Sequence, residues 1–157
     1  MLPTNADPLV LGYLGRSLSL ELSAVQLYTT QSVLVETWGL SEVAKKFSEE
    51  ASEEMTHASR IISRMLALGV APNASQLRPV SLGQNLLELL KYDLDFENDL
   101  VGLYTDAASH CAKKGDHDNR VFFEGLLKEE QAHAAALVKW IQDLQQPASE
   151  ANNASRR

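Results

Sequence analysis

Two Glu-x-x-His pairs, Glu54/His57 and Glu130/His133, each interrupt an apolar stripe of helical spacing. At 3.6 residues per turn, the two side chains of such a pair project from one helix face. Around the first pair run Phe47, Ala51, His57/Ala58, Ile61, Met65 and Leu68; around the second run Phe123, Leu126/Leu127, His133, Leu137, Trp140/Ile141 and Leu144. A single pair of this kind is common on solvated helices. Ionisable groups inside a core-facing stripe are not, because an unpaired buried charge is costly. The fold must therefore bring compensating groups to both pairs.

The same periodicity recurs in two further segments. Asp7 before Pro8 predicts a cap and a first helix over 8–37, with the stripe Leu14, Leu18, Glu21, Val25, Tyr28 and Val35. Trp38-Gly39-Leu40 reads as a tight connection into a second helix over 41–68. Gly69, Pro72, Asn73 and Pro79 mark a long connection. Ser81 is expected to cap a third helix over 82–112, with the stripe Leu86, Leu90, Leu94, Glu97, Val101 and Tyr104. A fourth helix follows the turn at 115–118 and reaches 145. Glu21 and Glu97 each stand where an apolar residue belongs. The expectation is one all-α domain over 1–146, a four-helix bundle with a single long crossover, followed by a polar tail over 147–157 expected to be disordered. Neither β-alternation of useful length nor a sequence repeat at a fixed period is apparent.

At 157 residues the chain can bury roughly 70% of its unfolded surface as one domain. A hydrophobic fraction of 45% and a net charge of -7 suit a soluble protein and argue against a general nucleic-acid binder. A single cysteine, Cys111, excludes an intrachain disulfide, and no zinc-finger spacing is present. With no signal-like N-terminus and no run long enough to span a bilayer, the expected setting is the cytoplasm.

Four amphipathic helices carrying one glutamate on each of two and Glu-x-x-His on each of the others match the ligand pattern of di-iron carboxylate bundles. Glu21 and Glu97 are the single ligands expected; Glu54/His57 and Glu130/His133 are the pairs. Four carboxylates balance two ferrous ions, with two neutral imidazoles completing the set. Such ligands suit iron or manganese, and bridging carboxylates can hold two metals about 3.5–4 Å apart. Surface or salt-bridged residues scattered by chance are the alternative for any one motif, but not for the complete set.

In order along residues 8–146, Glu21-Leu22-x-Ala24 with Tyr28, Trp38-Gly39-Leu40, Glu54-Met55-x-His57-Ala58, Asp93-Leu94-x-x-Glu97 and Glu129-Glu130-x-x-His133 resemble the motifs of bacterioferritins, within the ferritin-like superfamily. The resemblance implies that Glu21, Glu54, His57, Glu97, Glu130 and His133 bind two iron ions per subunit. It implies a ferroxidase that oxidises Fe(II) with O2 or H2O2 and deposits Fe(III) in an oligomeric shell for storage and detoxification. Tyr28 would take part in electron transfer beside that centre; a core tyrosine bonded to a nearby glutamate is the other reading. Met55 points about 100° away from the metal face. By resemblance it is the axial ligand of a haem b shared across a two-fold dimer, with Trp38 in the same pocket; interface packing is the alternative. The resemblance further implies a homo-oligomer of two-fold dimers, a twenty-four-subunit shell, and a ferredoxin-type reductase, with neither nucleic acid nor membrane as partner.

The acidic run Glu49, Glu50 and Glu53 either lines a cavity that collects cations or is a solvated face. Family members carry a short fifth helix after the fourth, and the polar stretch from Pro147 is expected to lack it. That raises co-assembly with a second subunit type. Two rivals remain: a non-storing di-iron oxidase or peroxidase of rubrerythrin type, and a haem-binding bundle without a working metal pair.

Overall fold

The computed structural model describes residues 5–73 and 76–146. The tail over 147–157, with the question of a fifth helix, lies outside the described residues. Four helices account for the fold: α1 (Pro8–Thr37), α2 (Ser41–Ala67), α3 (Leu86–Lys114) and α4 (His117–Gln145). α1 packs on α2 and α3 on α4 as hairpins, and α1 also lies against α3. α2 and α4 keep a wider spacing, and two clefts open between them.

Local chemistry sets the helix ends. Asp7 accepts a hydrogen bond from Leu9 N at 2.9 Å, with Pro8 in the first turn. Asp116 caps α4 by accepting from Asn119 N at 3.2 Å. Between them, Gly115 closes α3 at φ +68°, a left-handed conformation that favours glycine. The start of the third helix differs from the expectation at Ser81: residues 82–85 are not helical, and Asn85 is the cap. Asn85 accepts from Glu88 N at 3.0 Å while the Glu88 carboxylate reaches back to Gln84 N at 2.8 Å. That reciprocal pair satisfies two free amides at the start of α3.

The expected stripes face inward. Phe47, Ala58, Ile61, Leu90, Tyr104, Phe123 and Leu126 are buried, while Leu94 and Val101 sit at the edge of the α3 stripe. The crossover is tied down at Arg78, whose backbone N–H donates to Ser23 Oγ at 2.8 Å and whose guanidinium meets Asp99 at 2.8 Å. Among the described residues, no helix is long and apolar enough to cross a membrane.

Candidate metal centre

The polar interruptions of all four stripes meet at one level of the bundle. Glu21, Glu54, Glu97 and Glu130 are completely buried, His57 nearly so, and His133 is partly open to a cleft. Ligand-capable atoms of Glu21, Glu54, His57 and Glu130 all lie within 4.8 Å of one another, as do those of Glu50, Glu54, Glu97 and His133. Glu54 belongs to both groups. Glu130 also spans them, with Oε1 2.7 Å from His57 Nδ1 and Oε2 3.3 Å from His133 Nδ1. The two imidazoles stack at 5.9 Å between centroids, each turning Nδ1 towards the carboxylates.

Tyrosines hold the outer glutamates. Tyr28 Oη donates to Glu97 Oε1, and Tyr104 Oη to Glu21 Oε1, each at 2.6 Å. Burial and the adjoining carboxylates push both phenols well above their ordinary range, so they remain donors. On the outer side, His133 Nε2 meets Glu53 at 2.6 Å. The equivalent carboxylate facing His57 is Glu129, at 3.8 Å, which Arg60 engages instead at 2.5 Å.

These contacts expose a regularity absent from the expectations. Glu21 and Glu97, Tyr28 and Tyr104, Phe47 and Phe123, Glu53 and Glu129, Glu54 and Glu130, and His57 and His133 are all separated by the same step along the chain. A repeat at fixed spacing is therefore present. It extends to stripe residues such as Leu14 and Leu90, Leu18 and Leu94, and Val25 and Val101, and dissimilar residues between them hide it. The two hairpins are thus related by an approximate two-fold axis through the site, with reciprocal contacts: Tyr28 to Glu97 against Tyr104 to Glu21, and His57 to Glu130 against His133 to Glu54 at 2.9 Å.

Six titratable groups this close must share protons. Burial, then Glu54, raises the Glu21 carboxyl well above its ordinary value, and burial with Glu130 does the same to Glu97. Burial also acts on Glu54 and Glu130, but hydrogen bonds from neighbouring groups, the two histidines among them, outweigh it and lower both. Burial disfavours the imidazolium forms, yet the carboxylates around His57 and His133 push each up to about 12. In the metal-free site protons thus favour Glu21, Glu97 and the two imidazoles and leave Glu54 and Glu130 as the carboxylates. Protons stand where two divalent cations would balance the same set. The donor atoms fit such cations: Glu21 Oε2, both Glu54 oxygens, Glu97 Oε2, Glu130 Oε2 and His133 Nδ1 are buried without a hydrogen-bond partner.

The sequence-predicted residues do not all converge. Met55 lies on the outer face of α2 with 46% of its surface exposed. Trp38 caps the end of α1 and packs against the core. Met55 is about 20 Å further along α2 at 1.5 Å per residue, so the two share no pocket within one chain. Glu50 and Glu53, read as a solvated or cavity-lining run, join the site; the doubled Glu-Glu-x-x-His at 53–57 and 129–133 is the signal that marks Glu53 and Glu129. Glu49 lines one of the two clefts, ≈ 340 Å³, which runs past Tyr28, Glu50, His133 and Trp140. His110, which sequence left without a role, bonds Asp7 at 2.7 Å and pins the start of α1.

Comparison with known proteins agrees with this geometry. The ferritin-like domain family matches residues 11–146. A bacterioferritin of Rhodobacter capsulatus is 40% identical, covering 87% of this chain and 85% of the relative. The chain belongs to the bacterioferritin family. A second bacterioferritin, from Brucella melitensis, is 37% identical over 82% of this chain and 80% of its own length. The bacterial ferritin of Synechocystis is 33% identical, with 87% and 88% covered. The solved structure of the Rhodobacter capsulatus bacterioferritin, described with a metal-free dinuclear site and haem iron in a crystallographic special position, matches with a TM-score of 0.84 at 39% identity, covering 87% of this chain and 86% of that one. The bacterioferritin fold thus extends through all four helices that carry the centre.

Proposed function

We propose that this bacterioferritin stores iron and oxidises it at an intrasubunit centre formed by Glu21, Glu54, His57, Glu97, Glu130 and His133. The observation that carries the reading is the pair of donor groups overlapping at Glu54, with unpartnered buried oxygens facing one another. Carboxylate and imidazole donors without thiolate suit iron. Two Fe(II) ions held there supply one electron each to dioxygen or hydrogen peroxide. Glu54 and Glu130 bind across both halves, while Glu21 and Glu97 serve one half each, oriented by Tyr104 and Tyr28. Each histidine offers Nδ1, and Glu53 fixes the outer nitrogen of His133. The wide side between α2 and α4 gives cations access, past an acidic wall formed by Glu49, Glu50 and Glu53.

Storage requires assembly, and two-fold dimers building a closed shell are part of the proposal, as are a ferredoxin-type reductase for release and a cytoplasmic setting. Aerobic Fe(II) titration of the purified protein, followed by desalting, tests the whole. Retention far above two irons per chain is expected. A plateau near two would leave an oxidase and remove storage, and retention of none would overturn the reading.

The exposed thioether of Met55 is proposed as a haem ligand, one from each of two subunits. Its exposed neighbours one turn away on α2 are the small side chains of Ser52 and Ser59, which leave room for a flat group. Met55→Ala is expected to abolish haem absorbance in protein purified from haem-replete cells, while Zn(II) binding stays at two per chain. Retained haem would assign the ligand elsewhere.

A further inference from the structure

The approximate two-fold symmetry of the centre is broken beside one half only. One turn before Glu97 stands Asp93, and its symmetry mate before Glu21 is Ser17. Opposite Asp93 stands Gln31, whose mate is Ala107. Glu50, beyond them, has Leu126 as its mate. The half containing His57 and Glu21 is thus flanked by small or apolar side chains, whereas the half containing His133 and Glu97 has an additional buried acid and amide.

Asp93 and Gln31 are both completely buried. Gln31 Nε2 donates to Asp93 Oδ1 at 2.6 Å. That bond leaves two oxygens, Asp93 Oδ2 and Gln31 Oε1, buried and unpartnered. A carboxylate cannot relieve this, because both atoms are acceptors. One proton on Asp93 Oδ2, donated to Gln31 Oε1, satisfies both and closes a cyclic acid–amide pair. Neither residue belongs to the donor groups of the metal centre.

We propose that Asp93 is a neutral acid closed on Gln31 in the metal-free chain, and that it gives up this proton when a divalent cation occupies the adjoining Glu97/His133 half. The inference rests on the proposed metal centre. The O–H bond of Asp93 breaks, the electron pair stays on the carboxylate, and the proton passes to bulk water through the cleft beside Glu50. The new negative charge then lies one helical turn from Glu97 and would strengthen cation binding on that half alone. Tyr28 from α1 and Glu50 from α2 interact with Asp93 electrostatically, and Glu97 follows it by one turn on its own helix. Burial pushes the Asp93 carboxyl up to about 8 against the Gln31 hydrogen bond, with Glu50 adding to the rise. A nearby cation acts in the opposite sense.

The test compares the full-length wild type with Asp93→Asn, whose amide reproduces the donor and acceptor of the acid form. In the infrared, metal-free wild type at neutral pH is expected to show, in addition to the protonated-carboxyl bands of Glu21 and Glu97 common to both proteins, one carbonyl band that the variant lacks. On loading with Zn(II), which has no redox chemistry, wild type should release about one more proton per chain than Asp93→Asn in a weakly buffered titration. Two zinc ions bound with equal proton release, or no protonated-carboxyl band in the difference between wild type and variant, would overturn the inference and leave the metal centre standing. Failure to bind two zinc ions would overturn both. Should Asp93→Asn not fold, isotope-labelled aspartate in the wild-type chain reads the same band by its shift, and disappearance of that band on zinc loading replaces the proton count.

Discussion

Glu54→Ala is expected to strip both halves of the centre together, lowering the initial rate of aerobic Fe(II) oxidation by more than about 100-fold. Loss of an outer partner alone typically costs about 10–100-fold in metal affinity or activity, and Glu54 is more than an outer partner: it is the carboxylate common to both donor groups. Its removal leaves Glu21, His57 and Glu130 on one side and Glu50, Glu97 and His133 on the other, with Glu130 the one carboxylate still reaching both imidazoles. Glu21→Ala, by contrast, removes a donor from one group only. Zn(II) stoichiometry separates the two cases. Glu21→Ala should retain one tightly bound ion per chain and Glu54→Ala none. Equal stoichiometry in the two variants would show that the halves do not depend on a shared carboxylate.

Metal-free protein is expected to lose thermal stability as pH rises from 6 to 9, and protein loaded with two Zn(II) ions is not. In the unfolded chain the imidazoles of His57 and His133 release their protons near 6.5, whereas in the fold they hold them up to about 12. Between those values the folded state binds more protons, so raising the pH favours unfolding; the contribution is complete below about 6.5. The raised carboxyls of Glu21 and Glu97 act in the same direction above their ordinary value of 4.5. Glu54 and Glu130 are lowered and act oppositely: their contribution is present above 4.5 and is lost as pH falls. Each proton held only by the folded state is worth about 1.4 kcal/mol per pH unit. Two imidazoles therefore set an upper bound of about 3 kcal/mol per unit, a fall in Tm of at most roughly 10 °C per unit for a domain of this size. Bound cations replace the protons and flatten the slope. Calorimetry with chelator and with Zn(II) checks both limbs, and a flat profile in chelator would remove the imidazolium pair.

Much of this architecture is legible in the sequence because long amphipathic helices report themselves by period. The limits of α1 follow from Asp7 and Pro8 at one end and Gly39 just past the other. Glu21, Glu54, Glu97 and Glu130 stand out because each breaks an apolar stripe, and all four meet in the structure. What period cannot show is reach. Glu53 is on an exposed position of α2, yet its side chain spans to His133 on α4. Glu50 looks like part of a solvated run, and only the wide spacing of α2 and α4 brings it beside the centre. The pairing of Gln31 with Asp93 depends on how α1 and α3 are registered, which no local pattern specifies. Ser81 has the chemistry of a cap, but Asn85 has the glutamate at the right distance as well.

The constant step between the two halves also bears on how much information the centre requires. One helical hairpin that presents a glutamate, a tyrosine and Glu-Glu-x-x-His encodes half of the donors, and a second copy rotated through the same axis encodes the rest. Two identical short hairpins meeting across a true dyad thus suffice to specify the four carboxylates, the two imidazoles and both supporting phenols. The longer single chain adds the freedom to make the halves differ. Asp93 against Ser17, Gln31 against Ala107 and Glu50 against Leu126 are the places where it has done so, turning a symmetric cage into one with a distinguishable front and back.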